Sequence, residues 1–227
     1  MILNCPENIL ESSWVIPGLA LAYVLGSVPS SVWIGKTFYG VDVRTQGSHN
    51  PGATNTFRVL GKRAGIIVLV LDVSKGYLAA FIPVVLGQLN KIPIDYQNEW
   101  PMVFGLSAVV GHLFPVFTRF IGGKGVATLL GMVLAIHPLA ALASLGIFIM
   151  ILLLSGYVSL GSIVATLSFP ILQIMVPELK PASDMYIYFG IAVFLLVVLT
   201  HRQNIKRLIQ GTENKTSLLS SRSEQSK

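Results

Sequence analysis

Seven stretches of this 227-residue chain are apolar over lengths close to that of a membrane crossing: Ile16 to Ile34, Ala64 to Gly87, Pro101 to Phe120, Val126 to Ile136, Leu139 to Ser155, Leu160 to Val176 and Met185 to Thr200. A hydrocarbon core ~30 Å thick takes ~20 helical residues to cross, and lipid offers no partner to an open backbone N–H or C=O. Segments this apolar are confined to helices. Only 11% of the residues are charged and 53% are hydrophobic, where soluble domains carry ~25% charge. The expected fold is therefore an all-α integral membrane protein, a seven-transmembrane-helix bundle. The short fourth window and its joint at His137-Pro138 are the least regular part, where proline makes either a tight turn or a kink.

The cations give the bundle an orientation. With the windows crossing alternately, thirteen of the sixteen Lys and Arg residues fall on one side, Lys91 and Lys180 on the other, and Lys75 within the second window. The positive-inside rule makes the thirteen cytoplasmic, with the N-terminus outside and the C-terminus inside. The net charge of +6 is then a matter of topology, and nucleic acid is not an expected partner because aromatic residues do not alternate with the cations. The first window is too long and too interrupted by Pro and Gly for a cleaved signal segment, and is read as a retained helix. Cys5 is the only cysteine; it falls on the outer side, so an internal disulfide is excluded and a cytoplasmic thiol nucleophile is disfavoured. Residues 1–210 read as one polytopic membrane domain, and 211–227, rich in Ser, Lys, Glu and Gln, as a disordered polar cytoplasmic tail.

Between the first two windows lies GSHNPGATNTFRVLGKR, Gly47 to Arg63. Close-set Gly, Ser, Thr and Asn crowd backbone N–H groups and short donors around one point, and Arg58, Lys62 and Arg63 add positive charge. That is a seat for an anion such as phosphate. Three further polar clusters fall on the same side: GSVPSSVWIGK from Gly26, GHLFPVFTRFIGGKGVAT from Gly111 and THRQNIKRL from Thr200. A bundle can gather all four into one cytoplasmic site.

Several members have a structural reading as well. Ser27 belongs either to the site or to small-residue helix packing. Lys124, between Gly123 and Gly125 and followed by Thr128, departs from the Walker pattern at Thr118 and Gly125; it is either an anion ligand at a helix start or a topological cation. His112 reads foremost as a packing histidine. His201 and Asn204 share one helical face, beside Arg202. Asp72 and Lys75, three apart inside the second window, form either an ion pair holding the bundle or part of a proton path, since charge in lipid is costly unless paired. The chain has no HEXXH, no CxxC, no acidic metal box and no His with Asp five positions on. Neither a metal site nor a cofactor is expected, and metal hydrolysis and His–Asp acyl transfer are disfavoured.

Taken in order from Leu25 to Gly211, GSVPS, GSHNPGATNTFRVLGKRAG, GHLFPVFTRFIGGKGVAT and HRQNIKRL resemble the bacterial acyl-phosphate:glycerol-3-phosphate acyltransferase family, PlsY. The resemblance implies a seven-helix enzyme of the bacterial inner membrane, acting as a monomer, with its site at the cytoplasmic face. It would transfer a fatty acyl group from acyl phosphate to the 1-hydroxyl of sn-glycerol 3-phosphate, giving lysophosphatidic acid and phosphate, the first step of phospholipid synthesis. By resemblance Ser48, Arg58, Lys124, His201 and Asn204 are the catalytic set. Gly47, Asn50, Gly52, Thr54 and Asn55 would shape the phosphate seat, with Ser27, Gly123, Gly125, Thr128 and Arg202 as further substrate contacts. Two positions depart from the family pattern: His49 stands where Gly is usual, and Gln203 where Glu is expected.

The residue types suit that chemistry. Two phosphorylated substrates must meet, and Arg58, Lys124 and Arg202 are the candidates to neutralise them. Acyl phosphate is already activated, so a protein nucleophile is not required. The hydroxyl proton goes either to His201 or to a substrate phosphate oxygen. The alternative from another class is a small phosphate or organophosphate transporter gated by Asp72 and Lys75. No inverted repeat is visible between the halves, and the polar clusters sit at one face instead of mid-membrane, which favours the enzyme.

Overall fold

The structure is a computed structural model that describes residues 13–92 and 99–216. Cys5 and residues 217–227 of the polar tail lie outside the described residues. Within them the chain forms α-helices and short 3-10 turns and no strand. It divides into two compact units, one through Pro138 and one from Leu139.

In the first unit α1, Val15–Ser27, is followed after two residues by α2, Ser30–Tyr39, with a bend of 42° between them. The first apolar window is thus a broken helix. Pro29 has no N–H to continue the ladder and it drives the preceding residue out of helix; Val28 accordingly has ψ 111°. A short helix α3, Ala53–Leu60, leads into α4, Lys62–Gln88, then α5, Trp100–Leu113, and α6, Val126–Ile136. The third window does not stay helical to Phe120. After Leu113 the chain makes a 3-10 turn over Val116–Thr118 and passes through left-handed Arg119 and Phe120.

Close approach of backbones holds this unit together. Helix α4 packs on α5 and α6, and α1 on α5. A Cβ on Gly76 of α4 would run into the Thr128 carbonyl of α6, and one on Gly131 of α6 into the Val73 carbonyl of α4. Gly26 meets the backbone of Ala108, and Gly111 that of Tyr23, in the same way between α1 and α5. In lipid, helix contact rests on such small-residue packing because burial itself gains little. Ala22, Ala79, Phe104 and Ala108 form the buried core beside these contacts.

The second unit contains α7, Pro138–Ser155, α8, Val158–Met175, α9, Met185–Thr200, and α10, Arg202–Ile209. The joint before it is a break, with His137 at φ −147° and ψ 77°. Helix α9 bends by 65° into α10 at His201. Residues 211–216, inside the stretch read as polar tail, are tied to this unit. Glu213 accepts hydrogen bonds from Ser159 Oγ at 2.8 Å, Asn204 Nδ2 at 2.6 Å and Arg207 Nε at 2.7 Å, and the Thr216 amide donates to the Gly156 carbonyl at 2.8 Å.

Among the described residues, α4, α7, α8 and the stretch Trp100–Thr118 are each long and apolar enough to cross a membrane; counting each bent pair as one span gives six. Helix α6, with 11 residues, rises only about 17 Å and falls short of the ~30 Å core. The chain is an all-helical membrane protein with four to six such spans.

Two outcomes are expected. Gly76→Leu forces a side chain into the α6 backbone and lowers the thermal midpoint in detergent by several degrees or prevents folding, whereas Gly146→Leu, where a Cβ meets nothing within 4 Å, leaves it unchanged; equal midpoints for the two variants would contradict the α4–α6 packing. Burial raises the pKa of Glu213, but the hydrogen bonds from Asn204, Arg207 and Ser159 outweigh it and leave the group below its ordinary 4.5. Its stabilisation is therefore present above about pH 4.5 and lost as pH falls through the lowered value. Glu213→Gln should lower the midpoint at pH 7 and flatten its acid dependence, as read by thermal melts from pH 7 to pH 3.

Candidate active site

The first loop is organised from within by Asn55. Its Nδ2 donates to the carbonyls of Val43 at 2.7 Å and Gln46 at 3.0 Å, and its Oδ1 accepts from the Ser48 amide at 2.8 Å. Asn55 is thus a brace inside the loop, 1% exposed, with its amide committed. Gly47 has φ +63° and lies so near Asn55 Oδ1 that a Cβ would collide. His49 adopts φ +59°, the left-handed conformation that explains why glycine suits the position; its Nδ1 lies 3.1 Å from the Arg44 carbonyl. Gly52 forms the N-terminal boundary of α3, and its carbonyl accepts from Thr56 Oγ1. Ser48 is exposed, and Asn50 and Thr54 are half-buried.

Charge is divided unevenly over this loop. Asp42 takes two cations, Arg44 at 2.7 Å and Lys36 at 3.2 Å. The hydrogen bond from Arg44, with further help from the Arg44 amide and Lys36, overcomes desolvation and holds the Asp42 carboxyl far below the usual carboxylate range. Arg58, Lys62 and Arg63 are exposed, and no carboxylate among the described residues pairs with them. Three cations thus remain available to an anion.

The second loop runs from His112 to the start of α6. Gly123 donates its amide to the His112 carbonyl at 3.2 Å, and a Cβ on Gly123 would meet both the His112 ring and the Pro51 carbonyl. The two glycine loops therefore touch, although Pro51 and Gly123 lie far apart in sequence. Gly125 has φ +79° and begins α6, and Lys124 beside it is half-buried. A small cleft opens here, walled by Pro51, Gly122 and Gly123 and by Gly26, Val28 and Pro29 from the α1–α2 break. Ser30, Ser31, Asp72, Lys75 and His112 form its polar lining.

Three of the four sequence clusters thus converge in the first unit. Of the site residues named from sequence, Gly123 stands in the cleft wall. Ser27 and Thr128 do not; both are 0% exposed with hydroxyls lacking a partner among the described residues, and they sit at the α1–α5 and α4–α6 packing surfaces. Both therefore sit where backbones pack closely, as the packing reading of Ser27 expects. Ser30, Ser31 and His112 belong to two of the clusters read from sequence, and Asp72 and Lys75 to the pair inside the second window; spacing alone does not show that three helices bring them together.

The fourth cluster belongs to the second unit. His201 and Asn204 are 3% and 7% exposed and Arg202 is exposed, so the shared face of the first two turns inward. His201 Nδ1 lies 2.9 Å from the Val197 carbonyl. A carbonyl only accepts, so Nδ1 carries a proton. Asn204 is held by Glu213, a residue outside every motif quoted above.

Residues 16–211 match the family described as glycerol-3-phosphate acyltransferase. A glycerol-3-phosphate acyltransferase of Enterococcus faecalis is 45% identical over 204 residues, covering 88% of this chain and 90% of the relative, and one of Salinibacter ruber is 41% identical over 211 residues, covering 88% and 91%. Among solved structures, the glycerol 3-phosphate form of PlsY (YgiH), an integral membrane glycerol 3-phosphate acyltransferase, aligns with TM-score 0.79 at 37% identity, over 90% of this chain and 96% of that one. Its lysophosphatidic acid form aligns with TM-score 0.76 at 35% identity. With most of both lengths matched and the glycine loops closed on one another as described, the chain belongs to the glycerol-3-phosphate acyltransferase family.

Proposed function

We propose that the chain transfers a fatty acyl group from acyl phosphate to the 1-hydroxyl of sn-glycerol 3-phosphate, giving lysophosphatidic acid and phosphate. The observation that carries this reading is the contact of the two glycine loops at Pro51, Gly123 and His112 in a chain of this family. It joins a loop with three uncommitted cations to the turn bearing Lys124. Arg58 and Lys124, with Arg202, neutralise the phosphates of the two substrates, which otherwise repel one another.

In the reaction the 1-hydroxyl oxygen bonds to the acyl carbon, the bond from that carbon to the phosphate oxygen breaks, and phosphate leaves with the electron pair. The hydroxyl proton passes to a phosphate oxygen of the substrate. No covalent protein intermediate is needed because the mixed anhydride is activated beforehand. Ser48 and the other short side chains of the first loop seat the anion, and in this reading His201 orients the hydroxyl. Asn204 acts beside it, braced by Glu213.

The proposed topology has seven crossings, with α6 as the shortest and each bent pair as one. The N-terminus is outside, and the C-terminus and both glycine loops are cytoplasmic, following the cation distribution. The proposed setting is the bacterial inner membrane, with the protein acting as a monomer among lipid.

Purified protein in lipid, given palmitoyl phosphate, should release phosphate and form lysophosphatidic acid only when glycerol 3-phosphate is present, with acyl-CoA inert. Arg58→Ala and Lys124→Ala should each lower turnover by at least about 100-fold, the scale expected for removing a donor to developing charge. Release that ignores glycerol 3-phosphate, or near-normal turnover in those variants, defeats the reading. His201→Gln tests the proton assignment. An amide still accepts a hydrogen bond but takes no proton at neutral pH, so residual kcat within about tenfold supports the orienting role, and a loss at the upper end of the ~10²–10⁴-fold general-base range overturns it.

A further inference from the structure

Helix α10 starts where the chain has not yet left the membrane. With 16 residues, α9 rises about 24 Å, less than the ~30 Å of hydrocarbon it has to cross, and Ile191, Leu195 and Leu199, four residues apart, are exposed along it. Its end therefore lies at the boundary of the acyl chains and not in bulk water. There the chain turns by 65°, so that α10, with 8 residues, runs closer to the plane of the membrane than to its normal.

The two sides of α10 differ in what they touch. Asn204 is buried and donates to Glu213, which also binds Arg207, so this side is committed to the second unit. Arg202, Lys206 and Ile209 follow one another at i, i+4 and i+7, which is one stripe of a helix. All three are exposed, Ile209 at 82%, and no carboxylate among the described residues pairs with Arg202 or Lys206. Cations beside an isoleucine, on a helix lying along a membrane boundary, restrict the partner. Water would leave Ile209 unburied, and acyl chains alone would strip the cations of polar contacts. A phospholipid layer serves both, with Ile209 among the upper acyl chains and the cations level with the phosphates. A zwitterionic headgroup carries its own ammonium beside the phosphate, whereas an anionic one leaves net negative charge for Arg202 and Lys206.

We propose that the outer stripe of α10 binds the headgroups of anionic phospholipid in the bilayer that α9 crosses. The proposal stands on the length of α9, the bend and the exposed stripe, and it is independent of the acyl-phosphate reading. Asn204 and the stripe share one short helix. A headgroup held on the outer side therefore steadies the inner side, where Asn204 meets Glu213.

The test reads the lipid beside the stripe. A bimane probe is attached at Ile209→Cys in the full-length protein, with Cys5→Ser removing the only other thiol, and the protein is placed in phosphatidylcholine bilayers. These are seeded with either phosphatidylglycerol or phosphatidylcholine that carries a quenching nitroxide high on its acyl chain. Phosphatidylglycerol should quench the probe at a mole fraction at least about fivefold lower than phosphatidylcholine does, the scale of one cation near an anionic surface. Lys206→Gln should reduce that preference by about fivefold, and Lys206→Glu should reduce it further. Lys206 is exposed and unpaired with any described carboxylate, so both variants should keep the thermal midpoint measured in pure phosphatidylcholine. Equal quenching by the two lipids, or a preference that survives both variants, overturns the proposal. So does a probe that neither lipid quenches, which would put the stripe in water or against another protein.

Discussion

Lipid gives a backbone carbonyl nothing to bond to, so a helix interrupted inside the membrane has to be completed by another part of the protein. The first span of this chain is interrupted at Val28-Pro29, and the completion comes from the Lys75 ammonium, which donates to the Val28 carbonyl. A charge at that depth needs its own partner, supplied by Asp72, and the carboxylate in turn takes a hydrogen bond from Ser30 on the far side of the break. One proline thus accounts for a sequence of polar residues across two helices. Without the pair, α2 would have no fixed direction from α1, and the cleft would lose one wall.

The same economy separates residues that build the anion seat from those that serve it. Asn55 directs its whole amide at the loop backbone, and Asp42 binds two nearby cations. What remains uncommitted is the group of cations at the end of α3 and start of α4. In the proposed reading an anion would meet a preorganised cradle, which is the condition for electrostatic catalysis to act without reorganisation at the moment of reaction.

Much of this was legible in the chain. Apolar windows mark the helices because hydrophobicity along a membrane segment leaves little choice of structure, and the density of Gly, Ser, Thr and Asn marks both loops because few other residues make such turns. The Asp72–Lys75 pair is visible from spacing alone. What was hidden depends on distance in sequence or on depth: Ser30 reaches Asp72 across 42 positions, and His112 joins them from a third helix. The burial of Ser27 and Thr128 was not legible either, because a hydroxyl on a motif does not reveal how deeply it is packed. The first window was seen to be interrupted by Pro and Gly, but a bend at Pro29 was not legible because such residues are also tolerated within a continuous membrane helix.

Glu213 bears on where the folded protein ends. Composition turns polar at Gly211, yet hydrogen bonds reach past it: one carboxylate gathers α8, Asn204 and Arg207 together, and the Thr216 amide closes on Gly156. A chain cut after Gln210 would keep every apolar helix and lose the clasp on Asn204. In the proposed reading its defect would surface as impaired chemistry alongside a lower thermal midpoint, so loss of activity on truncation at the compositional edge would not by itself mark damage to the active site.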